Sequence, residues 1–110
     1  MNALELLKNC GFELINEGEN KKVSSVYCCD LLSFVMGRAK SEAAWVTVMG
    51  NINSAAVAML AEIRVIILAE NVKPDENLIS KAKEENITIA LSKLPIFETS
   101  LKIYEELKNA

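Results

Sequence analysis

The run Val65-Ile66-Ile67-Leu68-Ala69 is apolar at every position. Side chains of a strand alternate between the two faces of its sheet, so a strand can be apolar throughout only if both faces are covered. That demand excludes an open sheet with one wet face and calls for helices on both sides. Similar segments flank the run: "AWVTVM" from Ala44 and "ITIAL" from Ile87. From Ala44 onward the chain reads strand, helix, strand, helix, strand, helix. Short connections between buried strands imply right-handed crossovers and parallel pairing. The expected architecture is a three-layer α/β/α sandwich with a mainly parallel sheet. Val46–Met49, Val65–Leu68 and Thr88–Leu91 should be neighbouring parallel strands.

The helices follow from caps and periodicity. In the first half, "NALELLKNC" is a short amphipathic helix with Leu4, Leu7 and Cys10 on one side, stopped by Gly11. "FELI" and "VSSVYCC" are strand-like. Asp30 suits the N-cap of a helical turn, "LLSFVM", ended by Gly37. Farther on, Asn53 or Ser54 suits the cap of "AAVAMLAE". Pro74, Asp75 and Glu76 suit the first turn of a helix whose inner face carries Leu78, Ile79 and Ala82. Pro95 opens a last helix to about Leu107, with Phe97, Leu101 and Tyr104 as its apolar stripe.

With 110 residues, 51% apolar and 25% charged, the chain has material for one core, so a single domain over 1–110 is expected. The net charge of −3 and scattered basic residues argue against a nucleic-acid partner. Neither a signal peptide nor a membrane-length apolar stretch is legible, which makes a cytoplasmic protein the expectation. Cys10, Cys28 and Cys29 form a poor disulfide framework and read as reduced thiols. The chain has no histidine, which removes the commonest general base and a common zinc ligand. It also lacks the G-x-x-x-x-G-K-[ST] phosphate loop. No catalytic activity, metal or cofactor is expected.

Ligands of open α/β sheets lie outside the carboxyl ends of the strands. Three loops should meet there: Met49–Asn53, Ala69–Val72 and Ser92–Pro95, with the end of "VYCC" and Asp30 beside them. The candidate ligand residues are Gly50, Asn51, Asn53, Ser54, Glu70, Asn71 and Ser92. Backbone N–H groups at the helix start could hold a polar ligand. The same residue types also cap helices without binding anything. Acidic Glu70 disfavours a phosphate and tolerates a ribose or base better. The helix after this elbow, rich in Ala55, Ala56, Ala58 and Ala61, has no polar face before Glu62. Such a helix is buried or meets a partner. A two-fold homodimer with the Asn53–Glu62 segment, or the helix beside it, at or near the axis would supply the cover, with Ala58 as a test residue if it sits in the contact.

The stretches "VYCCDLLSFVMGRAKSEAAWVTV" and "IRVIILAENVKPDENLISKAKEENITIALSKLPIFETSLKIYE" resemble a stand-alone DRTGG domain, over roughly Leu4 to Leu107. Such domains are similar to the N-terminal domain of HPr kinase/phosphorylase. They also occur within phosphate acetyltransferases and between paired CBS domains of regulated pyrophosphatases. The strongest match is strand–turn–P-D-E–helix–strand–Ser from Val65 to Ser92. Where the family has Gly-Asp-Arg this chain has Gly50-Asn51-Ile52, and where it has Thr-Gly-Gly, Ala69-Glu70-Asn71. The resemblance implies the same sandwich fold and a non-catalytic regulatory or ligand-sensing role. A nucleotide or small polar metabolite is the implied ligand. The alternative it implies is a structural accessory, for example to a redox or hydrogenase system, with no small-molecule ligand.

Overall fold

The computed structural model describes all residues, Met1–Ala110. The element order is α1 (Ala3–Cys10), β1 (Glu13–Asn16), β2 (Ser25–Cys28), α2 (Leu32–Arg38), β3 (Ala43–Thr47), α3 (Ile52–Leu60), β4 (Val65–Leu68), α4 (Glu76–Glu85), β5 (Thr88–Leu91) and α5 (Ile96–Lys108). The five strands form one sheet in the order β1-β5-β4-β3-β2. Strands β2 to β5 run parallel, with Val46 opposite Ile67 and Ile67 opposite Ala90. Strand β1 closes the far edge antiparallel to β5. The three apolar strands are therefore parallel neighbours, as their sequence requires.

Alternation along these strands divides the interior into two cores. Trp45, Ile66, Leu68, Ile89 and Leu91 face Val35 of α2, Ala55, Val57 and Ala58 of α3, and Leu78 and Ala82 of α4. Ala44, Val46, Val65, Ile67 and Ala90 face Leu6, Leu7 and Cys10 of α1 and Ile103 of α5. This is the α/β/α sandwich. Full burial of each large apolar side chain is worth roughly 1.5–3 kcal/mol. No helix is long and apolar enough to cross a membrane.

Several local expectations are corrected. Helix α1 buries Leu6 and Leu7, while Leu4 sits at the margin. Helix α2 continues through Gly37, and its N-cap is Leu31, without a side-chain cap. The carboxylate of Asp30 is engaged elsewhere. Helix α3 begins earlier than expected, at Ile52, and is capped by Asn51 rather than Asn53 or Ser54. Helix α4 is capped by Asp75, which leaves Pro74 just outside it.

The largest inversion is in α5. Its buried face carries Thr99, Ser100 and Ile103, whereas Phe97, Leu101 and Tyr104 are exposed. Buried hydroxyls are tolerated when they are bonded. Thr99 Oγ1 lies 2.7 Å from Ser92 Oγ and 3.2 Å from the Leu94 carbonyl oxygen, and Ser100 donates to the Ile96 carbonyl at 2.8 Å.

The two sheet edges differ. Strand β1 carries Glu13 and an irregular register between Leu14 and Asn16. Strand β2, Ser-Val-Tyr-Cys, is uncharged and pairs regularly with β3. At the amino-terminal edge of the sheet, the loop after β1 is pinned down. The Gly18 N–H donates to Thr88 Oγ1 at 3.0 Å, the Glu19 N–H donates to the Asn86 carbonyl at 2.8 Å, and Asn16 Nδ2 donates to the Ile87 carbonyl at 2.8 Å.

A Cβ on Gly18 would lie 2.4 Å from the Asn86 backbone, whereas one on Gly37 would meet nothing within 4 Å. Gly18→Ala is therefore expected to lower stability by about 2 kcal/mol, because backbone must move to admit the methyl group. Gly37→Ala should instead raise it by up to about 1 kcal/mol through helix propensity. Urea denaturation of the two variants checks both.

Candidate functional site

The parallel strands β3, β4 and β5 end on the same side, and their loops meet there. The Asp75 N–H donates to the Gly50 carbonyl, joining the first loop to the second. The N–H groups of Glu70 and Asn71 donate to the carbonyls of Leu94 and Ser92, joining the second to the third. Gly50 owes its identity to this contact, since a Cβ there would lie 2.8 Å from the Lys73 carbonyl oxygen.

Most polar groups of the candidate residues are used within the chain. Asn51 Oδ1 accepts from the Asn53 N–H at 2.9 Å. The buried Ser54 hydroxyl donates to the Met49 carbonyl. Ser92 Oγ accepts from the Leu94 N–H at 3.1 Å and is paired with Thr99. Glu70 reaches across to the start of α5, where its Oε2 accepts from the Ile96 N–H at 3.1 Å. Helix α5 has Pro95 as N-cap and no side-chain cap of its own. Glu70 thus supplies an anion at the positive end of that helix dipole from a neighbouring loop. Asn53 and Asn71 are exposed and their side chains are not engaged within the chain. Seven residues gather along one sheet edge, but five of them mainly hold the edge together.

Asp30 is the residue of this edge that sequence reasoning misassigned. Its Oδ1 accepts from Thr47 Oγ1 at 2.6 Å and from the Val48 N–H at 3.1 Å. Thr47 Oγ1 in turn accepts from the Met49 N–H at 3.2 Å. A chain of bonds from Asp30 through Thr47 and Met49 to Ser54 therefore shapes the elbow. The signal available in sequence was the buried position of Thr47 in an otherwise apolar strand, since a buried hydroxyl needs a partner.

The turn after β4 has a further constraint. Glu70 and Asn71 have φ values of 60° and 58°, and the Val72 N–H donates to the Ala69 carbonyl at 3.1 Å. Two successive residues with positive φ inside such a turn are the pattern that glycine satisfies without strain. Asn71 is a residue type that tolerates this conformation, and Glu70 adopts it while its carboxylate reaches the start of α5.

Among the cysteines, Cys28 is exposed, Cys29 is half-buried, and Cys10 is buried at the end of α1. Burial, with Glu106 nearby, pushes the Cys10 thiol up to about 11 despite the opposing charge of Lys102. At neutral pH Cys10 is a neutral, apolar wall rather than a nucleophile.

Comparison of the sequence with protein-family models and with curated proteins finds no match. Among solved structures, the fold is similar to that of the CBS and DRTGG domains of the regulatory region of Clostridium perfringens pyrophosphatase, a structure complexed with the activator diadenosine tetraphosphate. The TM-score is 0.72 at 18% identity, over 89% of this chain and 44% of that one. The chain spans less than half the length of that structure. The fold is DRTGG-like.

Asn71 offers a direct test of the turn. Asn71→Gly should be neutral or slightly stabilising, and Asn71→Val should cost about 1–2 kcal/mol, because a β-branched residue resists positive φ. Thermal denaturation of the pair decides whether backbone conformation governs this position.

Proposed function

We propose that residues 1–110 act as one DRTGG-like unit and serve as a non-catalytic regulatory module that changes a partner's activity or assembly. The observation that carries this reading is the fold shared with the regulatory region of a pyrophosphatase. The ligand proposed is a nucleotide or small polar metabolite at the carboxyl edge, where Asn53 and Asn71 have side chains to offer. The setting proposed is the cytoplasm. One observation favours the second reading, a structural accessory without a small-molecule ligand. It is the internal use of Asn51, Ser54, Glu70 and Ser92. Thermal denaturation with diadenosine tetraphosphate, ATP and AMP separates the two. A ligand at a hundred times its Kd adds about 2.7 kcal/mol and should raise the midpoint by several degrees. Unchanged midpoints with all three favour the accessory.

Homodimerisation is the second part of the proposal, with a revised contact. Ala58 is fully buried in the protein's own core, so it cannot lie at an interface. The outer face of α3 supports the proposal instead. Ile52, Ala56, Met59 and Leu60 line a cleft of about 420 Å³ together with Asn53 and Lys81. Leu60 is 74% exposed. No residue of α3 is charged, and the one charged group in the cleft lining, Lys81, is paired with Glu84 and Glu85. Two copies can therefore meet along this helix without unpaired like charges facing each other. A two-fold axis would bring Leu60 near its own copy or near the partner's α4. Leu60→Glu should then convert a dimer to a monomer in sedimentation at micromolar concentration, while Phe97→Glu on the opposite layer leaves it intact. A wild type that sediments as a monomer removes the dimer from the proposal.

A further inference from the structure

The carboxyl edge has an open concavity that is not at the elbow. It lies at the end of β5, between the turn that follows α1 and the side of α5. Its volume is about 370 Å³, and its lining includes Cys10, Phe12, Glu13, Lys93, Leu94 and Lys102. That volume falls within the range of small-molecule sites. Antiparallel pairing sets Glu13 opposite Leu91, which brings the start of β1 to the mouth of this cleft.

Charge and polarity in the cleft are arranged by depth. Phe12 and Leu94 are half-exposed, and Cys10 and Leu91 are buried, which gives an apolar wall. The raised Cys10 thiol is neutral and adds no negative charge. Two exposed lysines belong to the lining. Lys102 is fixed by one bond from Nζ to the Cys10 carbonyl oxygen, at 3.3 Å, and an ammonium has further donors to give. Lys93 follows β5, is exposed, and makes no salt bridge. Its backbone N–H donates to no group in the chain. Glu13 is the one carboxylate in the lining. The two lysines face Glu13 in the lining and Glu106, whose charge reaches Cys10 from the α5 side. Beyond Lys102 the adjoining surface carries Glu105 and Glu106, which confines an anion to the β5 side.

We propose that this cleft binds a small monocarboxylate with an apolar body, its carboxylate held by Lys93 and Lys102 and its hydrocarbon part laid against Phe12 and Leu94. A monoanion pairs with the two lysines while adding least charge beside Glu13 and Glu106. A phosphate or polyphosphate brings further negative charge against those two carboxylates. The nearest helix start, that of α5, cannot offset the excess, since Glu70 already occupies it. The inference stands apart from the proposed regulatory role, because it concerns which anion is bound and where, not the effect of binding on a partner.

The test is a titration of the full chain, followed by ¹H–¹⁵N correlation spectra, with 4-methylpentanoate as probe. The uncharged 4-methylpentan-1-ol, inorganic phosphate and ATP are the comparisons. Saturable shifts are expected at Gly11, Phe12, Lys93 and Leu94, with a midpoint around 1 mM, a modest affinity suited to so few atoms. The alcohol should not saturate. Lys93→Gln and Lys102→Gln should each weaken binding by roughly tenfold, the scale of one charge-assisted hydrogen bond. Lys93→Gln touches no intramolecular bond, so it remains informative if loss of the Cys10 contact perturbs the Lys102 variant. The proposal is overturned if 4-methylpentanoate fails to saturate, or if the alcohol binds as well. Tighter binding of phosphate or ATP to the same residues also overturns it, as do shifts centred on Asn53 and Asn71.

Discussion

Strand β4 has no exposed residue on either face, and the rest of the molecule is arranged to hide it. Strands β3 and β5 must flank it, because its backbone groups need partners out of water. Two helical layers must then cover it. Of the five helices, α2, α3 and α4 serve one face, and α1 and α5 the other. Once the sheet is closed in this way, polar groups are left for its two ends. The amino-terminal end is sealed by the loop around Gly18. The carboxyl end is where three loops, a helix start and the Asp30 carboxylate come together.

That carboxyl end is stiff for a reason independent of any ligand. Each loop is bonded to the next through backbone groups, and the side chains that look most suited to binding are spent as caps and braces. Glu70 is the clearest case: its carboxylate fills the anion position at the start of α5. An outside anion at that helix would first have to displace a tethered one. The open part of the edge therefore lies to one side, beyond β5, where α1 and β1 leave a gap that no side chain closes.

How far the fold was legible depended on how locally each decision was made. The apolar runs at Val46, Val65 and Thr88 fixed parallel neighbours, because burial on both faces leaves few alternatives. The stop at Gly11 was readable locally too, whereas Asp75, expected inside the first turn of α4, is its cap. The failures came where a side chain acts at a distance. Asp30 looked like a cap for the residues after it, but bonds to Thr47 and Val48, far along the chain. In α5, counting apolar residues chose the wrong face, because hydroxyl pairing between Ser92 and Thr99 let polar residues turn inward. The apolar helix α3 was open to either core or interface, and its Ala58 proves to be core, since α4 and the sheet cover it. The convergence of the candidate site was visible in the alternation of elements. The way its polar groups are spent was not, because hydrogen bonds between loops leave no periodic trace in sequence.

The unequal sheet edges bear on how copies of this protein can associate through backbone alone. An uncharged, regular edge strand can accept another strand, whereas a bulge and a charge obstruct that pairing. Here β2 is of the first kind and β1 of the second. A sheet with two receptive edges can add copies without end and grow into a fibre. One with a single receptive edge exhausts its capacity when that edge meets its twin. The irregularity at Leu14 and Asn16 thus works as a terminator, limiting misassembly through the sheet to a closed pair.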